Sequence, residues 1–240
     1  MVRAARWSAA AALVLSTTAG VGQAAAAGGS RAVLRLTFTT VHPGSSTGLR
    51  VDARLGDPVG STNKPPRLVT AVITLPAGWA VATGSRPQCT ASDAELQIVG
   101  TLACPSNTVV GHGAVTAVTG FGPPVDPLVG DDTVINGKDQ LIEVVTPPGA
   151  PAPAAGVDHL VVTGATLTAH PPAVPGGPPD GSTDIQRIQF FVPAHGTASH
   201  AYMTTPPRCP SSGHWTTRAA FTFADGRTTT TTATTPCRRR

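Results

Sequence analysis

Charge is scarce in this sequence. Asp, Glu, Lys and Arg make up 12% of its 240 residues, lysine occurs only at Lys64 and Lys138, and aromatic side chains contribute 4%. A chain with so few aromatics and no basic face gives little support to nucleic-acid binding, which needs an electrostatic footprint and stacking platforms. Glutamate is rarer still, at Glu95 and Glu143 alone, whereas glycoside hydrolysis needs two positioned carboxylates. The GxSxG elbow of serine hydrolases is missing, as is the HExxH of zinc proteases. No CxxC spacing marks a zinc site among the four cysteines. After the N-terminus, no apolar run approaches the roughly 20 residues that cross a bilayer as a helix. The expectation from these absences is a protein without catalytic residues, metal or cofactor, and without a membrane span in its mature chain.

The N-terminus does carry a pattern. Arg3 and Arg6 form a basic start, Ala9–Leu15 a short apolar core, and Ala25-Ala26-Ala27 a small-residue site for cleavage before Gly28, which together read as a secretory signal over residues 1–27. Residues 28–240 are then an exported domain, with a possible sub-division near residue 126. Without Arg3 and Arg6 the basic count falls from 17 to 15 against 13 acids, a nearly neutral balance. Export also fits an even set of cysteines held as disulfides. Three pairings are open. Neighbours in sequence, Cys89 with Cys104 and Cys209 with Cys237, are favoured because each pair brackets its own local unit.

Between the cysteines the chain alternates short apolar-periodic segments with Pro- and Gly-rich turns. Residues 32–41, 48–55, 67–75, 108–118, 157–169 and 185–192 read as strands. Asn136-Gly137 reads as a hairpin turn between residues 132–135 and 139–145. One helix is expected over residues 92–99, with Ser92 and Glu95 at capping-box spacing and Gly100 as its stop. Trp79, after Leu75-Pro76-Ala77-Gly78, reads as a core plug. About nine to eleven strands with frequent turns argue for an all-β fold, an antiparallel sandwich or jelly roll with one short helix and two disulfides.

The C-terminal hairpin is the best-specified part. Trp215, Thr217, Ala219, Phe221 and Phe223 share one face of a strand, Asp225-Gly226 suits a two-residue turn, and a threonine-rich strand returns. That register brings Cys237 opposite His214, so a bridge to Cys209 would clasp the hairpin's open end.

Candidate sites are weaker. Asp126, Asp131, Asp132, Asn136 and Asp139 are the densest set of oxygen ligands, of the kind that hold calcium. His195, His200 and His214 could in principle meet. Glu143 alternates with Leu141 and Val145 and is expected on the sheet surface, and Glu95 is taken up by capping. Tyr202, Trp79 and Trp215 are what the chain offers for stacking on sugar rings. Arg238-Arg239-Arg240 could touch anionic cell-wall polymer, although a solvated tail explains it as well.

Leu75-Pro-Ala-Gly-Trp79, Cys104-Pro-Ser-Asn-Thr-Val-Val-Gly-His-Gly113, Thr205-Pro-Pro-Arg-Cys-Pro-Ser-Ser-Gly-His-Trp215 and Phe221-Thr-Phe-Ala-Asp-Gly226 resemble motifs of a group of secreted proteins of high-GC actinobacteria. That resemblance implies an exported, disulfide-bonded, β-rich protein and carries no activity or site residues. The expected function is a non-catalytic structural or binding module at the cell exterior, with a cell-wall polymer or an extracellular protein as partner. A secreted hydrolase and a carbohydrate-binding module are the alternatives.

Overall fold

The computed structural model describes residues 32–56, 64–197 and 199–239; the expected secretory signal lies outside them. The strands, in chain order, are β1 (Ala32–Phe38), β2 (Leu49–Leu55), β3 (Leu68–Thr74), β4 (Ala80–Val81), β5 (Val109–Val118), β6 (Leu128–Gly137) and β7 (Gln140–Thr146). They continue with β8 (Gly156–Thr163), β9 (Thr166–Ala169), β10 (Val174–Gly177), β11 (Ser182–Val192), β12 (Met203–Thr204), β13 (His214–Phe223) and β14 (Thr228–Pro236). The α-helix, α1, spans Asp93–Val99.

Eleven strands follow one antiparallel path, β1-β2-β11-β5-β6-β7-β8-β9-β3-β13-β14, with β10 attached to β11. Its two ends meet. Thr235 Oγ1 donates to the Leu36 carbonyl at 3.3 Å, and the Arg238 amide donates to the Val41 carbonyl at 2.8 Å. The sheet thus nearly closes on itself and encloses a core as a sandwich does, leaving little exposed strand edge. The all-β, antiparallel expectation holds, and among the described residues no helix is long and apolar enough to cross a membrane.

Alternation decides what goes inside. Leu34, Leu36 and Phe38 of β1, Leu49 and Val51 of β2, Leu141 of β7, Leu160 of β8 and Trp215, Ala219, Phe221 and Phe223 of β13 all point into one core. Phe38 meets Trp215 edge-on at 5.7 Å between centroids. A second, smaller core lies outside β6, β7 and β8, where Ile135, Ile142, Val144 and Val157 pack against Leu96 of α1 and Cys89 and Cys104. These strands are therefore buried on both faces, which is why β7 reads as an almost continuous apolar run.

The expected helix forms with its box: the Glu95 amide donates to Ser92 Oγ, and the Ser92 amide donates to the Glu95 carboxylate at 2.7 Å. Gly100 ends it with φ +63, a left-handed conformation that suits glycine. Both disulfides join sequence neighbours, Cys89–Cys104 and Cys209–Cys237.

Three local expectations need correction. The last hairpin pairs Thr222 with Thr228 and Trp215 with Thr235, one residue away from the expected register. Ala224-Asp225-Gly226 forms a three-residue loop, with Gly226 at φ +78 and the Phe223 amide bonded to the Arg227 carbonyl, a turn with a glycine bulge. Asn136 and Gly137 do not turn the chain. They belong to β6, Gly137 pairs with Gln140, and Asp139 takes the positive φ of 55 at the turn. The reason is that Asn136 is wanted inside: its Nδ2 donates to the carbonyls of Thr83 and Pro87, both at 2.9 Å, and its Oδ1 accepts from Tyr202 Oη at 2.8 Å. Finally, residues 157–169 are two strands, folded back at Gly164 (φ +58) so that Thr163 pairs with Thr166.

Candidate functional site

The two ends of the rolled sheet are built differently. At one end β13 starts, β6 and β11 finish, and the small β4–β12 pair closes over the core. Trp79, Tyr202 and Met203 are buried there at 2%, 1% and 0% exposure, so none of the expected sugar-stacking aromatics is available for stacking. At the other end, between the last turns of β5 and β7 and the first of β6, β8 and β11, lies a cavity of about 560 Å³. This is within the range of small-molecule pockets, which favour the mouths of barrels.

Its walls are apolar: Val115 and Ala117 from β5, Ile185 and Ile188 from β11, Val145 from β7 and Val157 from β8. Pro147, Pro148, Pro171, Pro172 and Pro175 rim it. Phe121, Val125, Leu128 and Val129 line the entrance and stay largely exposed, Phe121 at 64%. Exposed apolar side chains gathered at one place mark contact surfaces rather than chance.

The loop carrying Phe121 and Val125 is fixed by Asp126. Its carboxylate accepts from the Thr119 amide and hydroxyl, both at 2.7 Å, and from the Gly120 and Gly122 amides, both at 2.9 Å. Burial alone would raise its pKa, but these donors outweigh burial and hold it at about 2.

At the base of the cavity the alternation brings carboxyls together. Asp132 of β6 lies on the face of Val134 and Asn136, Glu143 pairs directly with Asp158 across β7 and β8, and Val134 pairs with Glu143. Both Glu143 and Asp158 line the cavity. Glu143 is 6% exposed and Asp132 1%; Glu143 Oε1 and both oxygens of Asp132 have no hydrogen-bond partner among the described residues. Burial, and then the charge of Asp158, push Asp132 up to about 7. Burial, followed by Asp132 and Asp158, drives Glu143 well above the ordinary carboxyl range. Asp158 is also raised by burial, against the pull of the His159 amide, which donates to it at 2.8 Å, and of the nearby imidazoles of His159 and His170. Like charges on adjacent strands cannot all ionise in a dry site. The cluster therefore keeps protons.

Other buried acids show the contrast. Asp184 accepts from Ser182 Oγ at 2.9 Å and lies 3.3 Å from Lys64 Nζ, which also bridges to Asp180. On the outer face, Asp52 is held bidentately by Arg187 at 2.7 and 2.9 Å. That pair borders an open groove of about 410 Å³ with Arg35, Arg50 and His112, where Arg50 stacks over Phe191 at 3.9 Å. The fold thus gathers arginines from β1, β2 and β11 that looked scattered along the chain.

The sequence-level candidates fare unevenly. The supposed calcium ligands are dispersed: Asp126 cradles its own loop, Asp131 accepts from the Gly149 amide, Asp132 points inward, and Asn136 serves Tyr202. No group of three His, Cys, Asp or Glu side chains among the described residues could hold a metal. His195 contacts the Val110 carbonyl at 3.2 Å and His214 the Ser212 carbonyl at 2.9 Å, so the histidines stay apart. Glu143 is not on the surface as expected. Its strand is covered on both sides, so alternation could not show which face met solvent. Asp158 went unnoticed, yet it stands directly opposite Glu143 once β8 pairs with β7.

Compared with known proteins, the chain matches no family model, no curated protein and no solved structure.

Proposed function

We propose that this protein is an exported, non-catalytic binding module that takes a small, mainly apolar molecule into the mouth of its rolled sheet. The observation that carries this reading is the cavity of about 560 Å³, apolar on its walls and rim, with carboxyl groups confined to its base. Burial of ligand surface supplies the affinity, and the few polar groups fix orientation. Export accords with the two disulfides.

A hydrolase is the competing reading, since Glu143 and Asp158 are a carboxyl pair on facing strands. Sugars, however, are recognised by polar walls and stacked rings. Among the described residues this lining has no serine, cysteine, histidine, tyrosine or tryptophan. Binding is the reading the chemistry favours.

Titration with the neutral fluorescent probe N-phenyl-1-naphthylamine tests it. One saturable site is expected, and Ala117→Phe, which fills the cavity from β5, should weaken it by about tenfold or more. Absence of saturable binding, or unchanged binding by the Ala117→Phe protein, would overturn the reading.

A further inference from the structure

Of the four buried acids among the described residues, two are fully partnered. Asp126 has four donors, and Asp184 has Ser182 and Lys64. The other two are not: Glu143, which lines the cavity and is 6% exposed, has no partner for its occluded Oε1 among the described residues, and Asp132 behind it, 1% exposed, has none for either oxygen. Among the described residues, no lysine, arginine or histidine lines the cavity to supply the missing donors. An acceptor buried without a donor is costly to leave, and a carboxylate buried without a cation more so. A partner that brings positive charge and N–H groups would let these carboxyls ionise and satisfy their oxygens, and its remaining body must suit apolar walls.

We propose that the cavity binds a primary amine with an apolar body, the ammonium group donating to Glu143 and Asp158 with Asp132 behind them, and the body lying between β5 and β11. This rests on the reading of the cavity as a small-molecule site. A primary ammonium fits better than a quaternary one because the orphaned oxygens require hydrogen bonds as well as charge. A neutral acceptor such as an alcohol or ketone fits less well: it can accept one carboxyl proton but leaves the other oxygens unserved.

The proton balance follows. In the free protein the cluster holds protons because of burial and mutual repulsion. When R–NH3+ enters, a carboxyl O–H bond breaks, the proton leaves to solvent, and the carboxylate accepts N–H bonds from the ammonium. Amine binding therefore strengthens as pH rises, up to the point where the carboxyls ionise unaided. The ionisable groups around Glu143 are Asp132 from β6 and Asp158 from β8, with the imidazoles of His159 and His170 beside Asp158. Among the described residues, β5 and β11 contribute Val115, Ala117, Thr183, Ile185 and Ile188 to the lining, none of them ionisable.

Calorimetric titration of the disulfide-bonded protein with decylamine, decan-1-ol and decanoate, which share one apolar body, separates the possibilities. Decylamine is expected to bind about tenfold or more tightly than decanol at neutral pH, with decanoate weakest. Its affinity should rise between about pH 6 and 8, with release of about one proton seen as a dependence of heat on buffer ionisation. In the Glu143→Gln protein the amine-to-alcohol ratio should fall below about threefold. If decanol and N-phenyl-1-naphthylamine bind but decylamine has no advantage, or keeps its advantage in Glu143→Gln, the amine proposal fails while the cavity stands as an apolar site. If none of these molecules binds, both fail.

Discussion

The closed end and the open end of the rolled sheet each bury side-chain oxygens and treat those oxygens in opposite ways, although the closed end also leaves the Trp79 Nε1 donor without a partner among the described residues. At the closed end Asn136 is fully buried, yet its amide donates to Thr83 and Pro87 and accepts from Tyr202. At the open end Glu143 and Asp132 are almost as deeply buried and keep oxygens with no partner. Both groups come from the same pair of strands, β6 and β7, and point into the same interior. The difference shows that burial of a polar group says little by itself. A satisfied network specifies a structure, whereas an unsatisfied one beside a cavity points to a ligand.

The sharpest way to break the comparison is to open the closed end. Cys209–Cys237 spans 28 residues there, and joins the start of β13 to the end of β14. Replacing both cysteines by serine is expected to cost about 3–4 kcal/mol of stability in the chain-entropy account, measured by urea unfolding. Probe binding in the still-folded protein should be unchanged, because the cavity lies at the far end. Loss of binding without loss of stability would show that the two ends are one functional unit.

A somewhat smaller effect comes from the open end and from pH. Asp132 is raised to about 7 in the fold, and Glu143 is raised further by burial and its neighbours. The folded chain holds protons that the unfolded chain has released, so this contribution to stability is greatest below the ordinary carboxyl pKa and is lost as pH rises through the folded value. Each proton so held makes stability fall by about 1.4 kcal/mol per pH unit, so the proton on Asp132 alone accounts for about 3 kcal/mol lost between about pH 5 and 7. Asp126 and Asp180, lowered to about 2 by their donors, titrate below that window. Asp132→Asn should flatten the slope by about one proton; a flat profile in the parent protein would mean that the carboxyls are ionised and partnered after all.

The sequence showed more of the local features than of the open end's interior, for physical reasons. The helix cap, the glycine stop at Gly100, the inward face of β13 and both disulfides are local features, readable from spacings of a few residues. The one-residue slip at Ala224-Asp225-Gly226 arose because a two-residue and a three-residue glycine loop share the same letters. The carboxyl cluster is nonlocal: Asp132, Glu143 and Asp158 meet through the registers of two successive hairpins. One of those hairpins joins β7 to β8 across the Pro-rich residues 147–155, a loop too long to fix a strand register from the sequence. Asp126, Asp131 and Asp132 looked like a cluster because they are close in sequence, yet strand alternation sends Asp131 and Asp132 to opposite faces.

The smallest expected effect is the most discriminating, because it asks for opposite signs from two substitutions. Asn136→Ala removes two donors and an acceptor from the closed end and leaves the Thr83 and Pro87 carbonyls and the Tyr202 hydroxyl to find other partners. It should destabilise by about 2 kcal/mol. Glu143→Gln at the open end removes a carboxyl that nothing in the protein neutralises. It should stabilise the free protein by about 1 kcal/mol near pH 8, where the buried carboxyl is under the greatest pressure to ionise. Urea unfolding of both variants at constant slope reads the two signs directly. If Glu143→Gln instead destabilises as Asn136→Ala does, then Glu143 is part of the scaffold, and the distinction between the satisfied Asn136 network and a ligand-seeking open end disappears.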